Sequence, residues 1–234
     1  MALNMTLPSV VYVDGACSHN HARGKLQRAA RRAAYGIYVD AGHPWNEGRS
    51  IPLDAKATNQ TAELHALRAV LAKVKSHVLG VSPAVRIVRT AGGEVRNPEP
   101  GDAPRTGITV KTDSMYVVNI VNSWAAQWSR LGWQRRDRQG RLQPIQNLEL
   151  IREVVDAVRE LNQVHNIAVS VRHVPAHRPQ PQLCPPGTIP PAFRGLCTSA
   201  AAPQLMRDAT PTADYRDWYG NMQADLLARQ AVQS

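Results

Sequence analysis

Cysteine is scarce: Cys17, Cys184 and Cys197 are the three in 234 residues, and no two form a CxxC pair. That argues against a disulfide framework and against a structural zinc site. It fits a reducing compartment, nucleus or cytoplasm, with an organelle left open. No apolar run approaches the length of a membrane span, so no membrane partner is expected. The first eight residues lack a basic stretch followed by an apolar one, and lack Arg- and Ser-rich transit character, so no leader is expected. Acidic residues are outnumbered: 18 Asp and Glu against 28 Lys and Arg leave a net charge of +10. An excess of that size points to a polyanionic partner, most simply nucleic acid, or else serves solubility alone. Hydrophobic residues, at 43%, are ordinary for a globular protein, and the length suits one large domain or two small ones.

What the chain has is acids in telling places. The run Val10-Val11-Tyr12-Val13 ends at Asp14-Gly15 and reads as a central strand buried on both faces. The alternating run Ile108-Thr109-Val110-Lys111-Thr112 reads as a second strand and ends at Asp113. Ser114 then offers an N-cap for a helix from Met115. Asp113 either merely caps that helix or belongs to a site at the C-terminal edge of the sheet. If the two strands are parallel neighbours, their carboxylates lie side by side. One must then take up a proton unless a cation sits between them. Thr58 or Asn59 caps a long helix whose stripe of Leu67, Val70, Leu71 and Val74 also includes Glu63. Glu63 either needs a partner or metal there, or faces the positive end of the helix.

Strands are expected over residues 35–39, 49–53 and 168–172, the second at an edge because of Pro52. An amphipathic helix is expected over 144–161. Residues 80–107 read as an insertion with a short hairpin around 85–88. Residues 178–219, with eight of the seventeen prolines, read as a long irregular loop, and 220–228 as a terminal helix carrying Asp225. Trp124 and Trp128 share a helix face and precede a run of arginines, 135–141. They are either a small aromatic core beside a solvated loop or a nucleic-acid contact. His177, past a strand end, is a surface histidine, a proton shuttle or a metal ligand.

The stretches YVDGACSHN, GHPWNEG, TNQTAELHAL, KTDSMYVVNIVNSWAAQW, HVPAH and GNMQADLLAR occur in that order. Together they resemble the type 1 ribonuclease H family, its cellular eukaryotic branch most. The resemblance implies an α/β fold, a mixed five-stranded sheet flanked by helices. It implies endonucleolytic cleavage of the RNA strand of RNA–DNA hybrids, leaving 5′-phosphate and 3′-hydroxyl ends. It implies that Asp14, Glu63, Asp113 and Asp225 hold two Mg²⁺ ions, with Mn²⁺ as a substitute, and that His177 assists proton transfer or product release. Asn20, Asn59, Gln60 and Asn147 match residues that read the RNA strand. Tyr116, Trp124 and Trp128 match the DNA channel, and Lys56, Thr58 and Asn147 a DNA-phosphate pocket. The expected catalytic domain spans 8–234, interrupted by insertions at about 80–107 and 178–218. No separate N-terminal hybrid-binding domain is expected. A monomer is the default, and the Pro-rich 178–218 loop is a candidate site for a protein partner. The 178–218 insertion and Ala176, where the family commonly has Gly, depart from the family pattern. Rival readings are a catalytically silent hybrid-binding module, a DNA-acting nuclease of the same fold, and a basic scaffold. All four acids are intact, which weighs against the first.

Overall fold

A computed structural model describes residues 6–18, 31–52, 57–80, 88–89, 95–96, 106–176, 181 and 212–234. Its main sheet has five strands in the order β3-β2-β1-β6-β9. These are β1 (Val10–Cys17), β2 (Ala33–Tyr38), β3 (Glu47–Ser50), β6 (Thr106–Thr112) and β9 (Ile167–His173). β1, β2 and β3 run antiparallel as a meander, whereas β6 is parallel to β1 and β9 parallel to β6. The parallel half needs crossovers, and helices supply them. They are α1 (Asn59–Gly80) before β6, and α2 (Met115–Asn119), α3 (Ala125–Arg130) and α4 (Leu148–Gln163) before β9. A last helix, α5 (Ala213–Gln233), follows. Two small antiparallel pairs stand apart, β4 (Val88–Arg89) with β5 (Val95–Arg96), and β7 (Gln134–Arg136) with β8 (Leu142–Pro144).

Strand periodicity sorts the core into two layers. Val11 and Val13 of β1, with Ile108 and Val110 of β6, pack against Leu64, Leu67, Val70, Leu71 and Val74 of α1 and Ile151 and Val154 of α4. Tyr12 faces the other way and joins Tyr38, Tyr215, Tyr219 and Ala224 under α5. The second layer is thin because glycine lets backbone meet backbone. A Cβ at Gly36 would fall 2.0 Å from the Ala224 carbonyl oxygen, and one at Gly48 2.3 Å from that of Leu227. Gly36→Ala is therefore expected to lift α5 from the sheet and cost about 3 kcal/mol in urea unfolding.

Several expected boundaries move. β3 begins at Glu47, earlier than expected, and stops at Ser50, whose hydroxyl donates to the Ala231 carbonyl of α5 at 2.6 Å. Pro52 lies beyond the strand, which is an edge strand as expected. α4 starts at Leu148 rather than Pro144: Pro144 pairs with Gln134 in β8, and Asn147 turns the chain at φ 58°. The short pairing in 80–107 is at 88–89 with 95–96 rather than around 85–88. The largest correction concerns α5, which begins at Ala213 and not at Gly220. Thr212 accepts from the Tyr215 N–H at 3.2 Å as its N-cap, Asp214 stands in the first turn, and the last proline is Pro211.

Candidate active site and nucleic-acid interface

Asp14 and Asp113 are delivered by neighbouring parallel strands. Tyr12 stands opposite Lys111 in the β1–β6 register, and the two acids lie one same-face step further on. Asp113 does not cap α2. Ser114 does, its hydroxyl accepting from the Val117 N–H at 3.3 Å. The same hydroxyl donates to Glu63, which α1 brings from the other side. Asp225 arrives on α5 and pairs with Arg229 one turn along, at 2.6 Å.

The four acids feel one another. Asp14 is 7% exposed, and its carboxyl is pushed up to about 9. Burial contributes most, then the charges of Asp113 and Asp225, with a smaller push from Glu63. The Gly15 N–H, 2.7 Å away, only partly offsets this. Glu63 is raised to about 7 by burial and by Asp113, against the lowering bond from Ser114. Among the described residues, no three His, Cys, Asp or Glu side chains converge tightly enough to hold one ion as they stand. Glu63 is turned to Ser114, Asp225 to Arg229 and Asp14 to the Gly15 amide.

The donor set nonetheless suits a hard dication, because every donor is an oxygen. A small cavity between Asp113 and Asp225 is also lined by Pro175, Trp218, Met222 and Asn221. The Asn221 Oδ1 is buried without a hydrogen-bond partner among the described residues, an oxygen left to accept from or ligate something else. Sequence reasoning missed Asn221. Its signal is the spacing of four to Asp225, which places both on one face of α5.

Beside the acids runs a cleft of about 660 Å³ lined by Gln60, Tyr116, Trp124, Gln127, Trp128, Arg135, Arg136 and Gln146, among others. Trp124 lies 6.2 Å from Tyr116 and 5.5 Å from Trp128 between ring centres. The i, i+4 expectation thus holds in effect, although the backbone makes a π-helical turn, Ile120–Trp124, between α2 and α3. Burial raises the Tyr116 hydroxyl, and the Asn147 side chain hydrogen-bonds to it. Arg135 and Arg136 belong to the exposed β7–β8 pair, whose tip is tied by Asp137 to Arg141. Thr58 caps α1 through the Thr61 N–H at 3.1 Å, while the Asn59 Oδ1 is buried without a partner among the described residues. Asn20, Lys56 and His177 lie outside the described residues.

Residues 99–183 match the family model described as RNase H. Rat ribonuclease H1 is 29% identical over 124 residues, which is 53% of this chain and 32% of the relative. A ribonuclease H of Crithidia fasciculata is 29% identical over 187 residues, 74% of this chain and 34% of the relative. The chain thus spans about a third of the length of these relatives. Among solved structures, the PFV RNase H domain aligns at a TM-score of 0.49 and 19% identity, over 97% of this chain and 94% of that one. The family match, the curated relatives and six sequence words in one order make the chain similar to the type 1 ribonuclease H family.

Proposed function

We propose that the chain is an endoribonuclease that hydrolyses the RNA strand of RNA–DNA hybrids, leaving 5′-phosphate and 3′-hydroxyl ends. The observation that carries the reading is the meeting of Asp14, Glu63, Asp113 and Asp225 in one electrostatically coupled group. That group lies at the edge of the sheet, beside an aromatic and basic cleft.

In this reading the four carboxylates hold two Mg²⁺ ions, or Mn²⁺ in their place. Such ions, when bound, supply Lewis-acid activation of a water and charge stabilisation of the leaving oxygen. The protein's own part is to hold and orient. Asp14 sits on β1 and Asp113 directly follows the end of β6, so the central sheet positions both, while Glu63 and Asp225 approach from helices on its two faces. The amides of Asn20, Asn59, Gln60 and Asn147 donate to and accept from 2′-hydroxyls, the group that tells RNA from DNA. Tyr116, Trp124 and Trp128 offer ring faces to the DNA strand, and Lys56 and Thr58 with Asn147 a place for its phosphate. His177 assists proton transfer or product release. The unit spans 8–234, acts as a monomer in the nucleus or cytoplasm, and its Pro-rich 178–218 segment, of which 213–218 begin α5, is the candidate site for a protein partner.

Four labelled substrates test this: hybrid, double-stranded RNA, single-stranded RNA and double-stranded DNA. Cutting of the hybrid's RNA strand alone is expected, and equal cutting of double-stranded RNA or of DNA would sink the proposal. A Trp124→Ala/Trp128→Ala variant is expected to lose about tenfold or more in hybrid affinity, because stacking is worth about 1–3 kcal/mol per ring. Gel shift in chelator measures that loss apart from cleavage.

A further inference from the structure

The first turns of α5 make a set of contacts that the proposed chemistry leaves unused. Lys111 on β6 forms an ion pair with Asp217, and the Tyr12 hydroxyl on β1 donates to the same carboxylate oxygen at 2.9 Å. The ammonium also lies 5.8 Å from the centre of the Tyr12 ring. The two charged side chains are only 19% and 28% exposed, so removing either partner strands a largely desolvated charge. One turn further along α5, Gly220 rests on the Tyr12 ring. A Cβ there would meet ring carbons at 2.3 Å.

This group stands in register with the acids. Tyr12 and Lys111 face each other across the strands one same-face step before Asp14 and Asp113. On α5, Asp217, Asn221 and Asp225 are spaced by four, so they share a face over about 12 Å of helix. Around Asp225, the close approach of Ala224 to Gly36 and of Leu227 to Gly48 lays α5 against the sheet. The attraction of Lys111 for Asp217 holds it down two turns away.

We infer that Tyr12, Lys111 and Asp217 are positioning residues that set the height and rotation of α5, and through it the reach of Asp225 toward Asp14 and Asp113. The inference rests on the metal-dependent reading above. It gives the early start of α5 a purpose: residues 213–219 anchor the chain to the sheet as it arrives from the 178–212 stretch.

The test uses the full chain and three readouts: Mn²⁺ binding by titration calorimetry without nucleic acid, hybrid affinity in chelator, and kcat and KM with Mg²⁺. Lys111→Met and Asp217→Asn are each expected to weaken Mn²⁺ binding about tenfold and to lower kcat at limiting metal, with hybrid affinity and KM unchanged. The double variant is expected to be no worse than either single change, because both remove one contact. Lys111→Arg is expected to restore most of the loss. Tyr12→Phe keeps the ring beneath Gly220 and removes one hydrogen bond, so a loss of about fivefold is expected even where the charge variants fail to fold. Unchanged Mn²⁺ binding in Tyr12→Phe and Lys111→Met overturns the inference. So does a fall in hybrid affinity that tracks the fall in Mn²⁺ binding, since that marks general loosening. A parent chain that binds Mn²⁺ through these residues but leaves hybrids intact sinks the substrate reading and supports the positioning role. A parent chain that binds no Mn²⁺ overturns both.

Discussion

Replacing Asp14 by asparagine is expected to abolish hybrid cleavage while making the metal-free protein more stable. Asp14 is the most buried of the four acids, and each of the other three carboxylates works against its ionisation. In the folded, metal-free chain its carboxyl holds its proton to about pH 9, whereas in the unfolded chain it gives the proton up near the ordinary value of 3.8. At pH 8 unfolding therefore releases a proton and is favoured by it. Asparagine has nearly the same shape, needs no proton, and can still accept from the Gly15 amide. A gain of roughly 2 kcal/mol in urea unfolding with chelator present is expected at pH 8. The same change removes an anionic oxygen from the group proposed to hold the metal ions. Cleavage is expected to fall by about a thousandfold, or about 4 kcal/mol of transition-state stabilisation. Opposite signs in the two measurements mark a residue kept for chemistry at a cost in stability. A variant that is less stable and still active would show that Asp14 is a structural residue.

The stability of the metal-free protein is expected to fall as pH rises, the reverse of an ordinary paired carboxylate. The folded values of Asp14 and Glu63 are raised, to about 9 and about 7. A raised carboxyl contributes its stability fully below the unfolded value and loses it as pH climbs through the folded one. The window thus opens near pH 3.8 with Asp14, Glu63 joins near 4.5 and completes its share near 7, and Asp14 continues to about 9. Each group adds a slope of at most about 1.4 kcal/mol per pH unit. Thermal melts in chelator across pH 5 to 9 are expected to show a falling Tm. The increment on adding Mg²⁺ is expected to grow with pH, because the cation competes with those protons. A Tm in chelator that rises over the same range would mean that the acids do not face one another.

Both predictions depend on an arrangement that was half legible in the chain. Asp14 and Asp113 could be found because an apolar run and an alternating run each stop at an acid. Their adjacency needed the parallel pairing of β1 with β6, which no local pattern encodes. Ser114 was readable as a cap from its place before Met115. Its second bond, to Glu63 fifty-one residues away, was not. The tryptophan pair showed in its spacing, whereas the π-helical turn leading to it did not. The start of α5 was obscured by composition: prolines through Pro211 made everything before Gly220 look irregular, although Thr212 and the Tyr215–Tyr219 spacing mark a capped helix. With that start misplaced, Asp217 fell in a loop, and its partnership with Lys111 across 106 residues was out of reach.

The most direct test of the central claim is cleavage of an RNA–DNA hybrid labelled on both strands, by the full chain and by its Asp113→Asn variant, with Mg²⁺ and with chelator. Scission confined to the RNA strand is predicted, with 5′-phosphate ends, absent in chelator and absent in the variant. Cutting that persists in chelator, or that Asp113→Asn performs as well as the parent, would contradict the assignment of the chemistry to these carboxylates.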